Sequence, residues 1–191
     1  MAAARTRSAI IAAAAETFAR HGIDRVALDE VAAEANVHRG TLHRHFPGGR
    51  EELVLATLEH RSEALASATA DLIEAAPTAA EAVVEASAFL TLTAREDRTV
   101  APLLAESTVR AVLLGPAAAH LRAGLVELWH RIAARAVAEG APAVAVDPER
   151  IVDHLCRVGL SLVTEPGDVV TPDQVRAHFR TFVVHALLTQ P

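Results

Sequence analysis

Leu28-Asp29-Glu30-Val31-Ala32-Ala33-Glu34-Ala35-Asn36-Val37-His38-Arg39-Gly40-Thr41-Leu42-His43-Arg44-His45-Phe46 is the stretch whose reading decides the fold. Leu28, Val31, Ala32 and Ala35 recur at the spacing of one short amphipathic helix. Asp29 and Glu30 stand in its first turn, where the helix dipole favours acids. Asn36 follows where a tight turn needs positive φ, which glycine and, less easily, asparagine adopt. A second short segment ends at Phe46. Two short helices around such a turn form a helix-turn-helix, which presents its second helix to a major groove of DNA. Ala32 is small where the helices cross, and Val37, Leu42 and Phe46 are expected to point inward. The outward set is then Arg39, Gly40, Thr41, His43, Arg44 and His45. Gly40 permits close approach to DNA at a cost in helix propensity. Arginine can hold guanine bidentately, and threonine can meet a thymine methyl or a phosphate.

Outward from this block the pattern stays helical. Towards the N-terminus, Ile10, Ala14 and Phe18 form a stripe through Ser8–Arg20, and Gly22 stands where a helix C-terminus favours glycine. Towards the C-terminus, Pro47-Gly48-Gly49 breaks the chain, and Glu51 opens a long pattern that holds to about Ala76. A helix follows from Pro77-Thr78 through Phe89 and Leu92, then a charged, loop-like stretch at Arg95–Arg98. The next helix has Pro102 in its first turn and runs towards Leu114. Gly115-Pro116 starts another, carrying Leu121, Leu125, Leu128 and Ile132, which stops at Gly140-Ala141-Pro142. Asp147-Pro148-Glu149 and Thr171-Pro172-Asp173-Gln174 are helix N-terminal signatures, opening helices over about Asp147–Thr164 and Thr171–Leu188. The expected fold is all-α with about nine helices and no strand.

Composition agrees. Among 191 residues aromatics make up 3%, tyrosine and lysine are absent, and all 18 basic residues are arginine. The net charge of −6 is unevenly spread: residues 1–50 hold seven arginines against five acids, a net +2, and residues 51–191 hold eleven against nineteen, a net −8. A cationic head on an anionic body suits contact with a phosphate backbone at one end. Arg5 and Arg7 are either a basic arm on phosphate or minor groove, or a tail that touches nothing. Glu16 and Arg20 interrupt the apolar run that a secretion signal needs, and no stretch is long and apolar enough for a membrane span, so a cytoplasmic protein is expected.

No phosphate loop, nucleophile elbow or metal-ligand cluster is present, so neither an enzyme nor a cofactor is expected. His43 and His45 are two apart and point different ways on a helix; His178 and His185 are seven apart but lack a third ligand. Cys156, the single cysteine, lies among apolar neighbours and reads as a small core or interface residue. Trp129, with Leu125 and Ile132 beside it on one helix, reads either as core or as the wall of a ligand cavity, and Phe89 carries the same alternatives.

Residues from about Ser8 to Leu58 resemble the DNA-binding domain of the TetR family of transcriptional regulators. That family pairs a first helix ending Phe-x-x-x-Gly with a block of the form hxxhAxxAGVSxGTLYxHFxxKExL. The matching residues are Phe18, Gly22, Leu28, Val31, Ala32, Ala35, Val37, Gly40, Thr41, Leu42, His45, Phe46, Glu51 and Leu53. Asn36 replaces the usual turn glycine, His38 the usual Ser or Thr cap, and His43 the usual tyrosine. Val26 and Ala27 stand where a capping Thr or Ser is common, and Arg50 takes the place of the phosphate-contacting lysine one residue late.

The resemblance implies residues 1–49 as a three-helix helix-turn-helix domain and 50–191 as a helical ligand-binding and dimerisation domain. It implies a repressor: a homodimer on double-stranded operator DNA, released by a small molecule. In that scheme the last two helices pair with their copies as a four-helix bundle, with Gly159 allowing close approach and Leu155, Leu162, Phe179, Phe182 and Val183 supplying apolar area. Phe89, Leu125 and Trp129 are then the candidate ligand walls, and the net −8 of the body favours a hydrophobic ligand that is neutral or cationic.

Overall fold

The computed structural model describes residues 2–23, 25–141 and 146–184. Every regular element among them is helical. The chain separates into two compact units, Met1–Glu63 with Asp97–Ala117, and Ala64–Glu96 with Ala118–Pro191. Compactness therefore does not divide the chain at residue 49. The start of the long fourth helix belongs with the N-terminal helices because Leu53 and Val54 are buried there, and a later segment joins them.

The first unit holds α1 (Ala2–His21), α2 (Leu28–Glu34), α3 (Arg39–His45) and the first half of α4 (Gly49–Ala75). Ile10, Ala14 and Phe18 are buried along one side of α1, as their spacing predicts. Gly22 ends α1 with φ 78°, its N–H bonding the Phe18 carbonyl at 2.9 Å. Asn36, at φ 53°, is the one non-glycine with positive φ among the described residues. Its N–H bonds the Ala33 carbonyl at 3.0 Å and the Val37 N–H bonds the Ala32 carbonyl at 2.9 Å, which makes the α2 C-terminus a Schellman turn. Neither Ala27 nor His38 caps its helix with a side chain, as expected from the missing hydroxyls.

The stretch expected to form one helix up to Leu114 is two, because Glu106 is extended (φ −77°, ψ 128°) and breaks it. With the chain's fifth helix, α5 (Ala79–Glu96), counted in order, these are α6 (Val100–Ala105) and α7 (Ser107–Leu114). This break raises the count from the expected nine to ten α-helices among the described residues.

The second unit holds the end of α4, α5, α8 (Ala119–Ala138), α9 (Pro148–Thr164) and α10 (Pro172–His178). Asp147 caps α9 by accepting from the Glu149 N–H at 2.9 Å, and Thr171 with Gln174 forms a capping box on α10, both as the sequence predicts. α10 passes into a π-helical turn, Phe179–Val184, and the expected end near Leu188 lies outside the described residues. Helix ends in this unit are closed by arginine. Arg135 donates to the carbonyls of Ile73 (3.1 Å) and Ala76 (2.7 Å), and Glu139 accepts from the Ala79 N–H at 2.9 Å. That backbone hydrogen bond, with the Arg135 guanidinium behind it, holds the Glu139 carboxyl below its ordinary range. Arg95, expected in a loop, is helical and donates to the carbonyls of Leu162 (2.7 Å) and Val170 (3.0 Å).

The left-handed turn at Asn36 yields a direct test. Asn36→Gly should keep or raise stability, whereas Asn36→Val should lower it by about 1–2 kcal/mol, the cost of that conformation for an ordinary residue. Urea unfolding followed by circular dichroism measures both; equal stability of the three proteins would show that the turn imposes no such demand.

Candidate nucleic-acid interface

α3 is seven residues long, has glycine second and lacks a side-chain cap, so it depends on what it buries. Leu42 and Phe46 are buried and Val37 is half-buried, the inward set that the spacing predicts. The other side is left open: Arg39, Gly40, His43 and Arg44 are exposed, and Thr41 and His45 half-buried. A methyl group built on Gly40 would meet no atom of a neighbouring element within 4 Å. The fold itself therefore makes no use of the missing side chain.

The Arg39 side chain is 78% exposed and pairs with Asp29 at 2.9 Å. An exposed pair of this kind contributes about 0–1 kcal/mol, so a competing phosphate or base can take the arginine at little cost. Arg7 belongs to α1, not to an unstructured arm, and its guanidinium lies 5.0 Å from the centre of the Phe46 ring. Arg5 is on the same helix and exposed.

Arg50 has a different position from its expected one on phosphate. Its guanidinium donates to the carbonyls of Ile23 (2.8 Å) and Val26 (2.7 Å), both in the α1–α2 link. Glu106 grips the same link from the other side, accepting from the Ile23 N–H at 3.0 Å. A methyl group on Gly22 would lie 3.0 Å from that carboxylate, so a larger residue there would have to push the Glu106 side chain aside. Arg50 and Glu106 thus fix the segment from which α2, and through it α3, departs. The Glu106 contact had no signal in the sequence, since it joins positions 83 apart.

The other candidate residues lie in the second unit. Trp129 is 3% exposed and belongs to the apolar core with Ile132, Ile151 and Phe179. Leu125 is partly buried against that core and Phe89 is half-buried. A cavity of about 510 Å³ opens between α8 and α9, lined by Arg122, Val126, Asp147, Glu149, Arg150 and Asp153 with Ala119 and Ala123 beside them. None of Phe89, Leu125 and Trp129 lines it. Of the residues expected on a dimer surface, Leu162, Phe179 and Val183 are buried inside their own chain. Gly159 lies against α5 of the same chain, 3.0 Å from the Thr91 hydroxyl when a methyl is built on it. Leu155 is half-buried, and Phe182 is 68% exposed with its ring 5.1 Å from that of His178. His185 lies outside the described residues. Burial pushes the Cys156 thiol up to about 11, which suits a core residue better than a nucleophile.

With this geometry in place, comparison with known proteins shows what the chain is similar to. Residues 10–57 match the family described as bacterial regulatory proteins, tetR family. Over 78 residues the chain is 31% identical to the HTH-type transcriptional regulator LmrA of Bacillus subtilis (strain 168), covering 41% of this chain and 42% of that protein. Over 63 residues it is 43% identical to SrpR of Pseudomonas putida, covering 32% of this chain and 30% of that one. The chain thus matches less than half the length of these curated relatives. Two solved structures share its helical fold: RolR in complex with resorcinol (TM-score 0.74, 19% identity, 97% of this chain and 88% of that one), and a TetR-family regulator from Pectobacterium atrosepticum (TM-score 0.69, 20% identity, 99% and 97%). Over residues 10–57, the part that forms the helix-turn-helix, the chain is thus similar to the tetR family of bacterial regulatory proteins. Among the described residues no helix is long and apolar enough to cross a membrane.

The grip of Glu106 on the link can be measured. Glu106→Ala leaves the part-buried Ile23 N–H without its acceptor and should cost about 1–3 kcal/mol. Glu106→Gln keeps an acceptor oxygen and should cost less. Chemical unfolding gives both values; no loss in the alanine variant would mean that water replaces the carboxylate.

Proposed function

We propose that the chain is a transcriptional repressor that binds operator DNA as a homodimer through α3 and releases it when a small hydrophobic molecule binds in the second unit. The observation that carries the DNA-binding part is the outer side of α3, where two arginines are exposed and Gly40 leaves space that no internal packing uses. A bare strip flanked by cations is what a helix needs to lie close to base edges while its flanks meet phosphate. Arg39, Thr41, His43, Arg44 and His45 are the contacts in this reading. Arg50 serves chiefly to hold the α1–α2 link, with its phosphate role secondary.

The dimer reading rests on Phe182 and Leu155, the members of the apolar C-terminal set with area left outside their own chain. The ligand reading moves from the Trp129 core to the cavity between α8 and α9, whose volume is in the range of small-molecule sites. One solved relative holds resorcinol and another, FadR of Bacillus subtilis, holds stearoyl-CoA, so the fold does not choose the ligand. Charge argues for a neutral or cationic one: the cavity has Asp147, Glu149 and Asp153 against Arg122 and Arg150, within a body of net charge −8.

Gly40→Ala separates function from fold. It should raise stability by about 1 kcal/mol, because alanine is the better helix former, yet weaken DNA binding by crowding the reading strip. Arg39→Ala and Thr41→Ala should each cost about 1–3 kcal/mol on the best sequence obtained by selection from random duplexes. If all three variants bind that sequence like the parent, the reading face lies elsewhere. Light scattering at micromolar concentration should give about twice 20.2 kDa, and Phe182→Ser should shift the population towards monomer. A parent that stays monomeric would remove the two-groove mechanism.

A further inference from the structure

We propose that Asp29 is a positioning residue for base recognition: it braces the Arg39 guanidinium so that this arginine reads guanine rather than gripping phosphate. The proposal rests on the DNA-binding reading above and gives different tasks to the two exposed arginines of α3.

Arg39 is the first residue of α3, at the N-terminal end by which a groove-reading helix meets base edges. Asp29 stands in the first turn of α2, and the turn between the helices brings its Oδ2 to 2.9 Å from Arg39 Nη1. The pair therefore ties the arginine to the helix that supports α3. Only one nitrogen of the guanidinium is engaged. Among the described residues Nε and Nη2 have no partner, and together they form an edge with two parallel donors. Guanine offers two matching acceptors in the major groove, O6 and N7. Arg44, further along α3, is exposed and has no partner among the described residues, so its charge is free to meet phosphate.

Two effects of the brace favour guanine. The first is order. A long side chain already turned to the right direction loses less freedom on binding a target of fixed geometry. The second is charge. The carboxylate offsets the arginine's charge at close range, so an anionic phosphate is drawn less strongly. Guanine's neutral acceptors depend on where the donors point, and that the brace preserves. The fold gains little from the pair, since the two side chains are 78% and 57% exposed. Nor is Asp29 needed for the helix dipole, because Glu30 puts a second acid in the same turn. An exposed pair favours its closed form by about fivefold at most, so discrimination gains about three- to fivefold per recognition helix. For a dimer that engages two helices the factors multiply to about tenfold or more.

The test measures discrimination by the full chain. Anisotropy titrations over a range of salt concentrations use two fluorescein-labelled duplexes of about 30 base pairs. One carries the best sequence from selection and the other is of mixed sequence. Asp29→Ala should bind the mixed duplex more tightly, with the slope of log affinity against log salt steeper by about 1 per helix engaged. Its preference for the selected sequence should fall about tenfold. Replacing each guanine of that sequence in turn by 7-deazaguanine, which lacks the N7 acceptor, should reveal a position that weakens the parent, weakens Asp29→Ala less and leaves Arg39→Ala unmoved. Glu34→Gln also removes an acid from α2 and breaks an exposed pair, with Arg20 at 2.8 Å, but does not touch α3. It should tighten both duplexes equally. Circular dichroism checks the fold, and should Asp29→Ala fail to fold, Asp29→Ser makes the same comparison. Equal discrimination by the parent and the Asp29 variants would overturn the proposal. So would a loss of discrimination on Asp29→Ala that persists in full when Arg39 is already alanine. A parent that binds neither duplex would overturn the DNA-binding reading itself.

Discussion

A seven-residue helix with glycine at its second position does not persist by itself, and the first unit is organised around that constraint. The missing cap at His38 and the presence of Gly40 each cost about 1 kcal/mol. Burial of Leu42 and Phe46 contributes about 1.5–3 kcal/mol apiece and outweighs that cost. Both anchors lie on one side, so the opposite side owes nothing to the fold. Its residues can be chosen for an external partner, and two arginines, His43 and an unopposed glycine are what stand there.

Holding α3 also requires fixing the direction in which the chain enters α2. The link from Gly22 to Ala27 buries Ile23 and Val26 and so takes backbone groups away from water. Arg50 supplies donors for two of its carbonyls and Glu106 an acceptor for the Ile23 N–H. An arginine on the fourth helix and a glutamate at the break between the sixth and seventh thereby hold the link through which the chain enters α2. The extended backbone at Glu106, which splits an otherwise continuous helix, is what delivers its carboxylate to that place.

The second unit follows the same logic with different residues. Arg95 and Arg135 answer carbonyls at helix ends and in the following loop, and Glu139 answers the first N–H of α5. The apolar side of α9 and of the π-helical turn is spent on this unit's own core, which leaves Phe182 as the large exposed aromatic of that segment. Gly159 is small because Thr91 of the same chain lies against it. The small residue and the close helix approach were both legible; the identity of the neighbouring helix was not.

Local physics explains what was readable. The spans of α1 to α3, the caps at Asp147 and Thr171, the stops at Gly22 and Asn36, and the inward and outward sides of α3 all depend on residues within one or two turns of each other, so periodicity and residue type determined them. The partners of Arg50, Arg95, Glu106 and Gly159, the enclosure of Trp129 and the cavity between α8 and α9 were decided only by the tertiary structure. Those contacts join positions 24 to 83 apart, and a long arginine or glutamate side chain can satisfy many backbone groups equally well. Which one it reaches depends on where the helices come to rest, and no short-range pattern encodes that.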